Sequence, residues 1–416
     1  MVFLKSSLVE NLIVLVLCLS VLSKYGAGEN HITVNEEENL EIERQLRILN
    51  KPPFKTIITK MGDTIDCVDI YKQAAFDHPL LKDHKIQMEP SYFNRDENIS
   101  KIDSSATKVS RVLISKFQED IFCPAGTVPI RRTEKRDLIF FNMLKKSKKN
   151  YTNEYPKSPM YHHFVSAETA GEKNGYYGAK AMFGIHSPSA TPEQFSTSQM
   201  WIQNGPSGEL NSIETGWAVY PELFKDHATR SFSYWTADGY KNTGCFNMLC
   251  PGFIQVHPNI SFGTVLNPIT STGPREMFFS VYRDKKTHNW WYYIGKDDEM
   301  PIGYWPKELF SHLKSASIVR FGGVAGAKPN ERSPPMGNGN LPTEDYKIHK
   351  TGHMRYLQAL DEDGHTHYFG SSTIIKKDLD TKTDCYDIIF HKTKFGKRKK
   401  HGYNSMIFGG PGGNCI

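Results

Sequence analysis

The chain has 416 residues, of which 38% are hydrophobic and 12% aromatic, and its formal net charge is +6. This length suffices for two or three ordinary domains, and the composition excludes a largely disordered chain. The lysines cluster in runs such as "KKSKKN" and "GKRKKHG". We interpret these runs as solvated loops or processing sites, with contact to a polyanion or the cell wall as the alternative. No nucleic-acid-binding module is recognisable, so no nucleic-acid partner is expected.

The N-terminus has the layout of a secretory signal peptide. Lys5 precedes the apolar run Leu12–Ser23, and small residues follow in "YGAG". Because the run is short for a membrane span, we expect a signal peptide over residues 1–28, with cleavage near Ala27 or Gly28 and an uncleaved anchor as the alternative. The mature chain is therefore expected to be secreted, without stable membrane association.

Residues 29–144 are predicted to form a small α+β domain. Asn35 is a candidate helix N-cap with Glu38 three residues later, and leucines continue the pattern until a proline pair ends it. A β-like segment, a turn at Met61–Asp63 and an extended run follow, and "FCPAGTVPIRRTEKRDL" predicts a strand that leads into a charged helix start. Residues 145–160 are basic and rich in proline, which favours an exposed linker open to proteolysis.

Residues 161–416 repeat short strand patterns separated by turn signals such as "GEKNG", "NGPSGE" and "KNTG". The segment Pro306–Ala316 is the part of this region that we predict to be helical. The pattern favours an all-β antiparallel sandwich.

Cysteine usage agrees with a secreted protein. Without Cys18 of the signal peptide, six cysteines remain, and an even number in a secretory chain predicts three disulfides. We expect the pairs Cys245–Cys250, Cys385–Cys415 and Cys67–Cys123. A zinc site is the competing interpretation, but the cysteines lack paired histidines at ligand spacing, so we predict neither a metal nor another cofactor. Three sequons predict glycosylation at Asn98, Asn150 and Asn259.

Two neighbouring strand patterns carry polar groups that could do chemistry. In "FSTSQMWIQ", Gln199 shares a face with aromatic residues, and in "NSIETGW" the carboxylate of Glu214 stands among small residues. A glutamate and a glutamine on adjacent strands could position a water for attack on an amide, although the pattern alone favours a merely polar outer face. The sequence contains no nucleophile elbow, P-loop or HExxH motif.

Long motifs identify a resemblance to the plant neprosin family. "VDIYKQAAFDHPLLKDHKIQ" resembles the neprosin activation segment, and "FSTSQMWIQNGPSGELNSIETGWAVYPELF", "TRSFSYWTADGYKNTGCFNMLCPGFIQV", "NWWYYIG" and "FGGPGGNC" resemble the neprosin domain. The resemblance runs from about Asn39 to Ile416. It implies a proline-cleaving glutamic endopeptidase with a glutamic-peptidase or lectin-like jelly roll, made as a zymogen with an inhibitory propeptide in cis.

The family mechanism uses two glutamates, and this chain matches one of them. The resemblance implies that Glu214 is the general base, whereas Val324 in "RFGGV" occupies the position of the second glutamate and is non-catalytic. Gln199 is a candidate polarising group in its place, and Glu331 is a more remote alternative. A lone carboxylate also lacks the coupling that separates the pKa values of a glutamate pair, so an acidic activity profile does not follow.

Three functions remain open at this point. One is a secreted endopeptidase with reduced or altered activity, acting on peptide or protein substrates, proline-rich ones among them. The second is an inactive peptidase-fold protein that binds proline-rich extracellular polypeptides, because aromatic walls suit proline rings in either case. The third is a structural wall or reserve protein. We expect a monomer in the apoplast or cell wall.

Overall fold

The structure is a computed structural model that describes residues 35–91, 121–149, 160–169, 175–266, 269–270, 273–295, 299–345, 348–368, 375–391 and 404–415. The predicted signal peptide and the sequons at Asn98 and Asn150 lie outside these residues. The chain consists of two compact units, with the boundary between Glu43 and Arg44. Within the described residues, no helix combines the length and apolar character needed to cross a bilayer.

The first helix begins as its sequence predicts. Helix α1 spans Glu36–Leu49, and the Glu38 N–H donates to the Asn35 side-chain oxygen at 2.8 Å. This bond satisfies one of the donors that a helix start leaves unpaired.

A three-stranded antiparallel sheet follows, built from β1 (Pro53–Ile58), β2 (Thr64–Asp69) and β3 (Thr127–Arg131). The predicted turn joins β1 to β2, with Gly62 at a φ of 85° that favours glycine. Helix α2 spans Lys135–Lys149, so it continues into the first residues of the predicted linker.

The remaining strands form two large antiparallel sheets and one small hairpin. The bounds of these strands are β4 Tyr161–Thr169, β5 Gly178–Gly184, β6 Gln194–Asn204, β7 Asn211–Val219, β8 Arg230–Thr236, β9 Ile254–Gln255, β10 Ile269–Thr270, β11 Gly273–Pro274, β12 Glu276–Arg283, β13 Trp290–Gly295, β14 Met300–Trp305, β15 Ile318–Ala327, β16 Gly352–Leu360, β17 Thr366–Tyr368, β18 Ile375–Leu379, β19 Asp387–His391 and β20 Ser405–Gly409. The larger sheet has nine strands in the order β19-β20-β16-β5-β12-β13-β14-β9, with β17 beside β16. The smaller sheet has six strands in the order β18-β4-β15-β6-β7-β8, and β10 pairs with β11.

The main core lies between the two large sheets. Trp217 on β7 is fully buried, and its indole N–H donates to the Gly184 carbonyl at the end of β5 at 2.9 Å. Truncating such a side chain to alanine typically costs about 3–5 kcal/mol. The prediction of an all-β antiparallel sandwich preceded by a small α+β part is confirmed.

The predicted helix over Pro306–Ala316 is wrong. Only Lys307–Leu309 forms a short 3-10 turn. The carbonyl of Leu313 accepts a hydrogen bond from the Trp290 indole at 3.0 Å, so a tertiary contact takes a backbone group that a helix would use. The short helix α3 (Pro221–Phe224) after β7 was not predicted.

The described residues contain three disulfides. They join the pairs expected from the sequence: Cys67 with Cys123, Cys245 with Cys250, and Cys385 with Cys415. The first lies wholly before residue 145 and the other two wholly after it. No bridge among them therefore ties the N-terminal region to the sandwich.

Candidate active site

Gln199 and Glu214 lie on adjacent strands of the six-stranded sheet. Gln199 on β6 pairs with Gly216 on β7, and Trp201 pairs with Glu214, so both polar side chains leave the same face. Trp217 lies three residues after Glu214 on the same strand, so the two side chains leave opposite faces of the sheet. Because Trp217 points into the core, Glu214 points away from it. We call this outward surface the Glu214 face.

The two side chains touch. The Gln199 Nε2 donates to Glu214 Oε2 at 2.8 Å, and the residues are 3% and 8% exposed. Gly216 permits this approach of the strands, since a Cβ at that position would come within 2.0 Å of the Ser198 carbonyl oxygen. A buried carboxylate is tolerated only when donors surround it.

Two hydroxyl groups also donate to Glu214. The Tyr240 phenol donates to Glu214 Oε1 at 2.5 Å, and Ser212 Oγ donates to the same oxygen at 3.2 Å. With Gln199 on the other oxygen, the carboxylate is held from both sides. Its position is therefore fixed by three hydrogen bonds.

Tyr240 was not identified from the sequence. It follows β8 in a turn with a φ of 65°, in the left-handed region. The Asp238 carboxylate pins this turn by accepting from the backbone N–H groups of Lys241, Asn242 and Thr243 at 2.9–3.2 Å. The "ADGY" turn signal marks the loop, but the sequence gives no indication that the phenol reaches back to Glu214.

The tyrosines near Glu214 stay protonated. Burial raises the pKa of Tyr240 well above its usual value, and the negative charge of Glu214 raises it further. Burial and the same charge also raise the pKa of Tyr234. Tyr240 is therefore a neutral hydrogen-bond donor over the whole pH range in which a glutamic site would work.

Val324, which the sequence resemblance places at the position of a second glutamate, lies close to Gln199. Gly322 on β15 pairs with Gln199, and alternation places Val324 on the same face. The Val324 N–H donates to Thr197 Oγ1 at 3.1 Å, and that hydroxyl donates to Gln199 Oε1 at 2.7 Å. Thr197 thus orients the Gln199 amide so that its nitrogen faces Glu214. Glu331, the more remote alternative, is exposed in the turn after β15.

Aromatic rings line the Glu214 face toward the N-terminal region. Tyr234 contacts Phe246 at a centroid distance of 4.7 Å, and Phe195 stacks on Tyr220 at 4.7 Å. Phe140 of helix α2 packs edge-on against Tyr220 at 5.8 Å. A residue preceding the sandwich therefore covers part of this aromatic surface.

Ion pairs reinforce the same contact. Asp63, in the turn between β1 and β2, pairs with Arg230 of β8 at 2.7 Å, and Arg230 also pairs with Asp226. Asp137 of helix α2 pairs with Lys225 at 3.1 Å. Arg230 is almost completely buried, so its partners matter for stability.

No cluster of three metal-ligating side chains is present in the parts of the chain that the structure describes. The chemistry available at the site is that of a carboxylate, an amide and hydroxyl groups. Such a set can activate a water and stabilise an oxyanion.

Comparison with known proteins gives two family matches and several distant structural ones. The model described as Neprosin matches residues 192–411, and the model described as Neprosin activation peptide matches residues 56–180. A solved structure of scytalido-glutamic peptidase with a peptide-based transition state analog shares 13% identity, over 60% of this chain and 99% of that chain, with a TM-score of 0.33. A second one, with a transition state analog inhibitor, and SCP-B, a member of the Eqolisin family of peptidases in complex with the tripeptide Ala-Ile-His, each share 10% identity over the same fractions, with TM-scores of 0.32.

Proposed function

This chain belongs to the neprosin family, and from that premise we propose that it is a secreted endopeptidase of the glutamic type in which Glu214 and Gln199 carry the chemistry. The observation that carries the proposal is the 2.8 Å contact between the Gln199 amide and the Glu214 carboxylate. The amide takes the place of the second family glutamate, which is Val324 here.

Each group has a defined role in peptide hydrolysis. The ionised Glu214 removes a proton from a water molecule, and the water oxygen attacks the carbonyl carbon of the scissile bond. One N–H of the Gln199 amide holds Glu214, which leaves the other for the oxyanion that forms. As the C–N bond breaks, the proton passes from Glu214 to the leaving nitrogen. Base catalysis of this kind contributes roughly 10²–10⁴-fold.

The activation segment acts in cis in this proposal. Phe140 covers part of the aromatic surface of the Glu214 face, and Asp63 and Asp137 pair with residues after β7. Cleavage between the two regions would uncover this surface. The exposed rings suit proline-containing peptides, because proline packs well on aromatic faces.

An inactive binding protein is the second candidate function. It is favoured by Val324, whose isopropyl group can neither give a proton nor hold an oxyanion. In that case the aromatic surface would bind proline-rich extracellular polypeptides without cutting them.

The test follows cleavage of a proline-containing fluorogenic peptide by the full chain after its activation segment has been removed, from about pH 2.5 to 7. Glu214→Gln keeps the shape and removes the base, and Glu222→Gln, an exposed glutamate of helix α3, is the matched control. We expect cleavage by the native protein and the control, and a loss of roughly 10²-fold or more in Glu214→Gln. Full activity in Glu214→Gln contradicts the proposal. A silent native protein that gains activity in Val324→Glu supports the binding function.

A further inference from the structure

A second polar site lies on the opposite side of the sandwich, on the outer face of the nine-stranded sheet. Trp290 and Tyr292 of β13 belong to the main core, so Trp291 and Tyr293 face outward. Tyr282, Trp291 and Tyr304 are paired in register across β12, β13 and β14. They form an aromatic row, which we call the outer aromatic row.

The side chain of Gln87 is held beside this row by four groups of the sandwich. Its Oε1 accepts from Thr287 Oγ1 at 2.7 Å, from Asn289 Nδ2 at 3.0 Å and from Trp291 Nε1 at 3.0 Å. Its Nε2 donates to Asp284 Oδ2 at 3.0 Å and also lies 3.3 Å from Ser91 Oγ of its own segment. Three hydrogen-bond donors surround the amide oxygen and a carboxylate accepts from the amide nitrogen. The polar groups of the site are therefore complementary to a carboxamide. We call it the amide pocket.

The main chain of the bound segment is recognised as well. The Gln87 N–H donates to the Tyr304 hydroxyl at 2.9 Å, and the Ser91 N–H donates to Asp284 Oδ2 at 2.6 Å. Nearby, the Gln73 side chain bonds both the N–H and the carbonyl of Gln255 at 2.8 Å, on the edge strand β9. The surface therefore binds a peptide, in addition to one side chain.

The negative charge of Asp284 lets the pocket discriminate between a glutamine and a glutamate side chain. Asp284 and Asn289 are 4% and 3% exposed. Burial raises the pKa of Asp284, but hydrogen bonds outweigh it and hold the pKa below its usual value while the segment is bound. Those from the Thr287 and Lys286 N–H groups belong to the pocket itself, and those from Gln87 and Ser91 belong to the bound segment. An ionised Asp284 attracts an amide N–H and repels a carboxylate of the same shape.

The occupant and the pocket belong to different parts of the protein. Gln87 and Ser91 fall within the activation-peptide match, whereas Asp284, Asn289 and Trp291 fall only within the Neprosin match. None of the three disulfides joins the two parts. Removal of the activation segment therefore vacates a preformed pocket.

We propose that the amide pocket and the outer aromatic row form a peptide-binding exosite that opens on activation and holds a glutamine-bearing peptide segment by its side-chain amide. This site lies on the face away from Glu214 and does not depend on hydrolysis there. Its exposure depends on departure of the activation segment. The contacts to the Gln87 and Ser91 backbone favour a peptide over an acetamido sugar, which offers the same amide without a main chain.

The test uses the full chain with a site-specific protease sequence placed within residues 150–159, cut after folding so that neither part has to fold alone. The probe is an end-blocked peptide of residues 84–91, with versions that carry Glu or Ala in place of Gln87, and binding is measured by calorimetry. We expect the cut protein, freed of its activation segment, to bind the Gln peptide about 100-fold or more tightly than either variant. The uncut chain should not bind it, because its own Gln87 fills the pocket.

Asp284→Asn should bring the Gln and Glu peptides within about tenfold of each other, because it removes the repelling charge. Trp291→Phe, which removes one donor and keeps an aromatic ring in the row, should weaken the Gln peptide about tenfold and serves if Asp284→Asn does not fold. The proposal is overturned if the Gln and Glu peptides bind equally, if neither binds, or if the cut segment never leaves. Preferential binding of N-acetylglucosamine over the Gln peptide also overturns it.

Discussion

Replacing Gln199 by glutamate would place a second carboxylate against Glu214. The contact replaced is 2.8 Å between Gln199 Nε2 and Glu214 Oε2. At this separation two negative charges repel by about 1.5 kcal/mol in water and about 6 kcal/mol at an effective dielectric constant of 20. This corresponds to a rise of about 1–4 units in the pKa at which the pair loses its last proton.

The sign of the effect on stability follows from proton binding. In the unfolded Gln199→Glu chain both glutamates titrate near pH 4.3, whereas the folded pair keeps one proton to a higher pH. Between these values the folded state binds more protons, so its stability falls as pH rises. Between about pH 4 and 7 we expect Gln199→Glu to lose about 1.5–4 kcal/mol more than the native protein.

The measurement is urea unfolding at both pH values, followed by tryptophan fluorescence. Gln194→Glu is the control, because Gln194 lies on the same strand but contacts the Thr191 N–H and the Arg332 carbonyl instead of Glu214. A similar pH dependence in both variants, or none in Gln199→Glu, would refute the contact between Gln199 and Glu214.

Three further predictions concern one residue of the site, one of its contact with the activation segment and one of the core. Tyr240→Phe removes a donor to Glu214 and should lower kcat about tenfold while costing about 1 kcal/mol of stability, as measured by peptide cleavage and urea unfolding. Asp63→Asn leaves Arg230 with Asp226 alone, and it should speed release of the activation segment, followed by gel filtration after cleavage; unchanged release would argue against this ion pair as a clamp. His186 is kept neutral by burial, which lowers its pKa to about 3; since the unfolded chain protonates it near pH 6.5, stability should fall as pH drops through this window, and His186→Asn should flatten the fall in thermal unfolding.

Local signals predicted much of the fold. The N-cap at Asn35, the turn before Asp63 and the strand alternation around Glu214 each depend on residues a few positions apart. The three cysteine pairs were also expected, because six cysteines in a chain predicted to be secreted can form three bridges. The N-cap, the turn and the strand alternation were predicted correctly because neighbouring residues determine them.

Contacts between segments that are distant in the sequence could not be predicted from local patterns. Tyr240 reaches Glu214 only because a left-handed turn folds the loop back over β7. The pairing of Asp63 with Arg230 joins residues 167 positions apart, and Gln87 meets Trp291 across 204 positions. The helix predicted over Pro306–Ala316 failed for the same reason, since packing in the core outweighed local propensity.

Part of the candidate site could be predicted from the sequence. The face shared by Gln199 and its aromatic neighbours follows from strand alternation, and the role proposed for Glu214 came from the family resemblance. Their mutual contact required the register of β6 on β7. The orientation of the Gln199 amide required Thr197, whose hydroxyl gave no sign of this role in the sequence.

The measurement that tests the central claim most directly compares Gln199→Ala with Val324→Ala in peptide cleavage. If the Gln199 amide stands in for the missing glutamate, Gln199→Ala should lower kcat by roughly 10²–10³-fold, as loss of an oxyanion donor does elsewhere, while Val324→Ala should change it less than about tenfold. Full activity in Gln199→Ala, with folding verified, would contradict the assignment of the pair.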